Sequence, residues 1–169
     1  MKTAPDFTSI TTFIFDVDGV LTDGSVISYA SGEHARNFYI KDGYAIEKAL
    51  QGGYNVIIIS GGFEEGVKNR LTFLGVKDIF LGVKDKIALF NTYLHDKHLS
   101  NSSILYMGDD IPDYKMLKLV GLPTCPSDAA QDIKEICTYI STYPGGRGAV
   151  RDVIEKVMKA QGKWLKEQW

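Results

Sequence analysis

Asp16 and Asp18 stand one residue apart, directly after the apolar run Phe13-Ile14-Phe15 and directly before Gly19. Ser60 closes a second apolar run, 54–59, and is followed by Gly61 and Gly62. Asp109, Asp110 and Asp113 follow a third run, 103–107, and Lys86 stands beside Asp85 at what reads as a helix start. Several carboxylates gathered in one place repel unless a cation sits among them. Oxygen donors without His or Cys select a hard ion, Mg²⁺ first. A lysine, a hydroxyl and glycine-exposed backbone N–H groups bind phosphate oxygens. Together these groups describe phosphoryl transfer, a reaction that needs positioning and charge neutralisation above all. A carboxylate is already ionised at neutral pH and can attack without an activating base, passing through an aspartyl-phosphate. A second acid two residues on can protonate the leaving oxygen and then activate water. On these grounds Asp16 is the expected nucleophile and Asp18 the general acid/base.

For such residues to meet, the elements that carry them must end on one rim. Segments 13–15, 54–59, 78–81, 103–107, 121–124 and 139–141 read as strands, the second being an unbroken apolar run typical of a buried parallel strand. Helical spacing begins at Asp42, taken as an N-cap, and stops at Gly52-Gly53. It recurs with Val67, Leu71 and Leu74, from Asp85-Lys86 through Leu94, over 114–120, in a brief helix capped by Ser127-Asp128, and over 149–160. Alternating strands and helices predict an α/β fold with a doubly wound parallel sheet, one domain over 1–169. Ligands in such sheets bind beyond the C-terminal strand ends, which places Asp16, Asp18, Ser60, Asp109 and Asp113 on one rim, with Lys86 joining them. Segments 25–29 and 35–40, separated by a turn at 30–33, read as a hairpin over about 24–41 that projects over the acids as a flap. It would leave Val26, Ile27, Phe38 and Tyr39 partly exposed, and such a hairpin predicts an oligomer built through it. Pro144 to Gly148 is a glycine-rich loop. The tail, 161–169, is polar apart from Trp164, Leu165 and Trp169.

A net charge of −2 carries no nucleic-acid footprint. No run reaches membrane-spanning length and residues 1–8 hold no apolar signal core, so a cytoplasmic protein without membrane contact is expected. Cys125 and Cys137 lack metal-site spacing and read as reduced structural thiols. His34, His95 and His98 are assigned no role.

The stretch Asp16-Val17-Asp18-Gly19-Val20-Leu21-Thr22-Asp23-Gly24 resembles the first motif of the haloacid dehalogenase superfamily of phosphatases. Ser60 resembles its second motif, Lys86 its third, and Gly108-Asp109-Asp110-Ile111-Pro112-Asp113 its fourth, in order over nearly the whole chain. No cap domain is inserted. Leu21 to Gly24, Phe38 to Gly43 and Gly145 to Arg151 are similar to the capless branch containing 3-deoxy-D-manno-octulosonate 8-phosphate phosphatases and their relatives acting on nonulosonate 9-phosphates. The resemblance implies a Mg²⁺-dependent homotetramer acting on a phosphorylated sugar acid of lipopolysaccharide biosynthesis. Asp16 and Asp109 would ligate Mg²⁺ through carboxylates and Asp18 through its backbone carbonyl. Ser60, Gly61 and Lys86 would hold the phosphoryl group, and Arg70 would face the sugar acid. Asp110 and Asp113 would orient Lys86 and metal waters, with Asp110 a possible direct ligand. The glycine-rich loop would reach toward an adjacent active site. The position after Gly61 departs from the branch pattern of Gly-Arg or Gly-Glu, because Gly62 stands there.

Other readings exist for single residues and for the whole. Lys84 competes with Lys86, Ser60 can cap the helix that follows, and Arg70 can lie on a solvated helix face. A receiver domain of two-component signalling also combines acids, a hydroxyl and a lysine, but its phospho-acceptor lies at the end of the third strand. A general sugar phosphatase or a non-catalytic partner of the same fold remain alternatives.

Overall fold

The computed structural model describes residues 4–165. The site acids are carried by six parallel strands: β1 (Thr12–Phe15), β4 (Asn55–Ile59), β5 (Asp78–Phe80), β6 (Ile104–Met107), β7 (Leu122–Cys125) and β8 (Tyr139–Ile140). Their order in the sheet is β5-β4-β1-β6-β7-β8. From β1 the chain steps outward to β4 and β5, then returns to β6 on the other side of β1. The order therefore reverses between β1 and β6, the point at which doubly wound sheets bind ligands. Phe15 is in register with Met107 and with Ile58, so Asp16 leaves the sheet level with Gly108.

The unbroken apolar strands follow from burial on both faces. Phe13 and Phe15 point to one face with Val56, Ile58, Leu105 and Met107. Ile14, Ile57, Ile59, Ile104 and Tyr106 point to the other. The first face is covered by α1 (Ile40–Gln51), α2 (Glu65–Phe73) and α6 (Ala149–Ala160), the second by α3 (Lys86–Lys97), α4 (Tyr114–Leu117) and α5 (Gln131–Ile136). On α6 the buried residues Ala149, Val150, Val153, Ile154, Val157 and Met158 form one stripe at helical spacing. Trp164 brings the described part of the tail onto this face, with its ring edge-on to Tyr44. Trp169 lies outside the described residues.

Local structure differs from expectation at four places. Tyr39, not Asp42, occupies the N-cap of α1. Asp42 is buried instead, and its carboxylate accepts the N–H of Gly148 at 3.2 Å and of Arg151 at 2.8 Å, so it caps α6 from a distance. Ser127-Asp128 does not cap α5, whose N-cap is Ala130. The Asp128 carboxylate accepts the Gly145 N–H at 2.9 Å. The short helix expected over 114–120 stops at Leu117. Finally, the hairpin is shorter than its residues suggest. Its strands are β2 (Ile27–Ser28) and β3 (His34–Ala35), with a separate bridge between Thr22 and Phe38. It stands off the main sheet, which leaves Val26, Ile27 and Tyr29 exposed.

Candidate active site

β1 delivers Asp16 to the rim, held by a hydrogen bond from its N–H to the Met107 carbonyl on β6. The chain then coils tightly: the Val17 carbonyl accepts N–H groups from Val20, Leu21 and Thr22. Gly19 makes that coil possible. Its φ of +75° favours glycine, and a Cβ there would fall 2.0 Å from Asp109 Oδ2. Behind the coil lies the glycine-rich loop, whose Gly146 N–H donates to the Val20 carbonyl at 2.9 Å. A Cβ on Gly145 would lie 1.8 Å from the Gly19 carbonyl oxygen. The loop's glycines are thus committed to the chain's own first loop, while the half-exposed Arg147 projects and meets Asp23 at 3.3 Å.

The carboxylates of Asp16, Asp109 and Asp113 each place an oxygen within 4.8 Å of the others. Two carboxylates at that separation repel by roughly 3 kcal/mol at an effective dielectric near 20. Lys86 answers part of this charge. Asp85 fixes it at the start of α3 by accepting the N–H groups of Ile87 and Ala88. From there its Nζ reaches Asp113 Oδ1 at 2.7 Å and Asp16 Oδ1 at 3.2 Å. Lys84 is exposed, which separates it from the buried Lys86. Asp113 is 1% exposed. Its Oδ1 also accepts the Tyr106 hydroxyl at 2.6 Å, and its Oδ2 accepts the Asp109 N–H at 3.2 Å.

Asp16 differs: the ion pair with Lys86 is out of line, and Asp16 Oδ1 is left buried without a hydrogen bond. Burial, reinforced by Asp113 and opposed by Lys86, pushes its carboxyl up to about 6. Burial with Asp113, Asp16 and Asp110 pushes Asp109 to about 7. Burial opposes the charge on Lys86, but Asp16 and Asp113 outweigh it and hold the ammonium above its usual range. Three acids against one lysine leave an excess of negative charge. The all-oxygen donor set and this excess fit a hard divalent cation held by Asp16 and Asp109.

Beside the acids opens a cleft of about 850 Å³, within the range of small-molecule sites. Asp16, Asp18, Ser60, Gly61, Gly62 and Lys86 all line it. Ser60 follows β4, and its Oγ accepts the Gly62 N–H at 3.2 Å. It does not cap α2, whose N-cap is Glu64. Asp110 is exposed and accepts its neighbour's N–H, from Ile111, as cap of a short 3₁₀ turn. Arg70 does not line the cleft. Its guanidinium lies 5.8 Å from the Phe73 ring centroid, and a Cβ on Gly43 would meet Arg70 NH2 at 2.8 Å. Two residues that the sequence reading passed over do belong here. Arg36, from the hairpin, donates through Nε to Asp18 Oδ1 at 2.6 Å and places NH1 2.9 Å from Glu64 Oε1.

Residues 78–154 match a model of haloacid dehalogenase-like hydrolases. The chain is 35% identical to the 3-deoxy-D-manno-octulosonate 8-phosphate phosphatase of Escherichia coli strain K12 over 155 residues, 92% of this chain and 82% of that one. A crystal structure of the phosphatase of that name from Yersinia pestis superposes with a TM-score of 0.91 at 31% identity, covering 93% of this chain and 85% of that one. The Moraxella catarrhalis protein of the same name, solved with a magnesium ion, a phosphate ion and a KDO molecule, gives 0.90 at 32% identity, covering 94% and 91%. With the four motifs on one rim and relatives matched over most of both lengths, the chain belongs to the haloacid dehalogenase-like hydrolases, in the family of the 3-deoxy-D-manno-octulosonate 8-phosphate phosphatases.

Proposed function

We propose that this protein is a Mg²⁺-dependent phosphate monoesterase acting on a sugar-acid phosphate, with 3-deoxy-D-manno-octulosonate 8-phosphate as the preferred substrate. The observation that carries this reading is Asp16: a buried carboxylate set beside Lys86 and Asp109 and lining a cleft. Bound to Asp16, Asp109 and the Asp18 carbonyl, Mg²⁺ would offset the charge of the acids and of the phosphate ester. Lys86, the Ser60 hydroxyl and the Gly61 N–H would hold the phosphoryl oxygens. One Asp16 oxygen attacks phosphorus in line, forming an aspartyl-phosphate as the ester P–O bond breaks. Asp18 gives its proton to the departing sugar oxygen, then takes one from the water that attacks the aspartyl-phosphate, returning Asp16 and inorganic phosphate. Asp113 keeps Lys86 in place, and Asp110 ends the loop that carries Asp109. Tyr106 holds Asp113 in turn, through its hydroxyl.

The exposed Val26, Ile27 and Tyr29 support assembly through the hairpin, and a homotetramer is part of this reading. Among the described residues no helix is long and apolar enough to cross a membrane. Cys125 and Cys137 are buried in the core, which fits the structural role read for them. Two tests address the proposal. A screen under Mg²⁺ of octulosonate 8-phosphate, nonulosonate 9-phosphates and neutral sugar phosphates should give the first the highest kcat/KM; equal rates on all would mark a general sugar phosphatase. Asp16→Asn should cost about 10³-fold or more in kcat while leaving the circular dichroism spectrum intact, and retained turnover would remove the nucleophile assignment.

A further inference from the structure

Six charged side chains line the cleft: Asp16, Asp18 and Asp85, and Lys84, Lys86 and Lys115. Four of them are committed within the fold. Lys86 holds Asp16 and Asp113. Asp18 accepts the Arg36 fork, and Asp85 accepts the first N–H groups of α3. Lys84 and Lys115 are left over. Both are exposed, and among the described residues neither ammonium has a hydrogen bond, an ion pair or an aromatic partner. The backbone beneath each of them is nevertheless fixed. Lys84 precedes Lys86 by two residues and Lys115 follows Asp113 by two. The 2.7 Å contact of Lys86 Nζ with Asp113 Oδ1 therefore ties together the two segments that carry them. The Lys84 segment is also hydrogen-bonded to the phosphate-binding loop, from Val83 N–H to the Ser60 carbonyl at 3.0 Å and from Gly82 N–H to the Gly62 carbonyl at 2.9 Å.

At about 850 Å³ the cleft is far larger than a transferring phosphoryl group needs, so its remainder takes the leaving group. Val83, Ile87, Ile111 and Pro112 give that remainder an apolar lining on which a carbon chain packs. A lysine is a compact charge on a flexible stem and pairs with a carboxylate without a set geometry. Two unpaired lysines lining one cleft favour a substrate with a second anionic group besides its phosphate. We propose that Lys84 and Lys115 form a subsite for the substrate's carboxylate and determine specificity for a sugar acid over a neutral sugar phosphate. The inference rests on the sugar-acid reading above and gives that reading its residues. Lys86 serves the phosphate, and the other two lysines of the cleft serve the carboxylate. Each pairs at the solvent edge, so the discrimination is modest per lysine and shared between them.

The test compares octulosonate 8-phosphate with a neutral hexose 6-phosphate, using the full chain with Mg²⁺. Lys84→Gln and Lys115→Gln should each lower the ratio of the two kcat/KM values by about threefold, through KM for the acid. The double variant should lower it by about tenfold. Lys84→Arg and Lys115→Arg keep the charge and should keep most of the ratio. Lys77→Gln removes an exposed lysine outside the cleft lining and should leave the ratio as it is. Equal losses on both substrates in the double variant would overturn the inference and leave the lysines as attractors of phosphate alone. The same fall in Lys77→Gln would overturn it as an effect of net charge. A second measurement separates this from the assignment of substrate: inhibition of p-nitrophenyl phosphate hydrolysis by free octulosonate and by its methyl ester. Wild-type protein should favour the acid over the ester, and the double variant should not, whichever phosphate the enzyme hydrolyses. Equal inhibition by acid and ester in the wild type would sink the carboxylate subsite. A wild type that favours the acid inhibitor through these lysines but hydrolyses neutral phosphates equally well would support the subsite and sink the substrate assignment.

Discussion

Gly19 does no chemistry, yet the placing of the clustered acids depends on it. Its backbone sits at positive φ and its missing Cβ is the space that the Asp109 carboxylate occupies. Gly19→Ala should therefore cost roughly 1–3 kcal/mol in stability and at least about tenfold in Mg²⁺ affinity, read by denaturant titration and calorimetry. Unchanged metal binding would show that the carboxylate can shift without loss. The acids themselves were legible before any coordinates, because each stands at the end of an apolar run and the runs predict strands. Lys86 was legible through Asp85, a helix start in plain view. Arg36 was not. It lies in the hairpin, and its partner Asp18 is reached only when the hairpin folds back on the β1 loop, a contact that no local periodicity encodes. Arg70, carried over from the family resemblance, lies on α2 beside Gly43 and Phe73 in this chain.

Helix α6 shows how an element can be finished by a residue far away. Its first turn has no side-chain cap of its own, since Gly148 precedes it. The Asp42 carboxylate takes two of its N–H groups from inside α1. Asp42→Ala leaves two buried donors unanswered and should destabilise the protein by about 2 kcal/mol, measured as a shift in the denaturation midpoint. A neutral result would mean that water replaces the carboxylate. In sequence Asp42 looks like a local N-cap, since an acid before Ala45, Ile46 and Ala49 satisfies every local rule. Tertiary burial overrode that rule. The six parallel strands and the bounds of α6, by contrast, were readable because their apolar pattern and their burial coincide. The hairpin was readable as a turn between two segments, but not its two-residue strands, because nothing in the described chain covers its apolar side.

For the molecule as a whole, the gathered acids make stability depend on pH in a direction opposite to that of ordinary ion-paired proteins. Burial raises Asp16 and Asp42 to about 6 and Asp109 to about 7, against 3.8 for the unfolded carboxyl. Between those values the folded chain binds more protons than the unfolded one. The stabilisation is complete below the unfolded pKa and is lost as pH rises through 6 to 7. Protein stripped of metal with EDTA should melt at a higher temperature at pH 5.5 than at pH 8. Excess Mg²⁺ should raise the pH 8 value most, since binding there needs no proton release. Equal melting temperatures at both pH values without metal would refute the cluster's strain. At the same scale, Ile27→Asp on the exposed hairpin should shift the solution mass toward the monomer in light scattering; a monomeric wild type would end the assembly argument. The bond from Gly146 N–H to the Val20 carbonyl joins segments from nearly opposite parts of the chain. During synthesis the β1 loop emerges early and the glycine-rich loop late, so the acids are made long before the support that shapes their coil. The acid cluster consequently stays without its backing until that later segment has followed the β1 loop out of the ribosome.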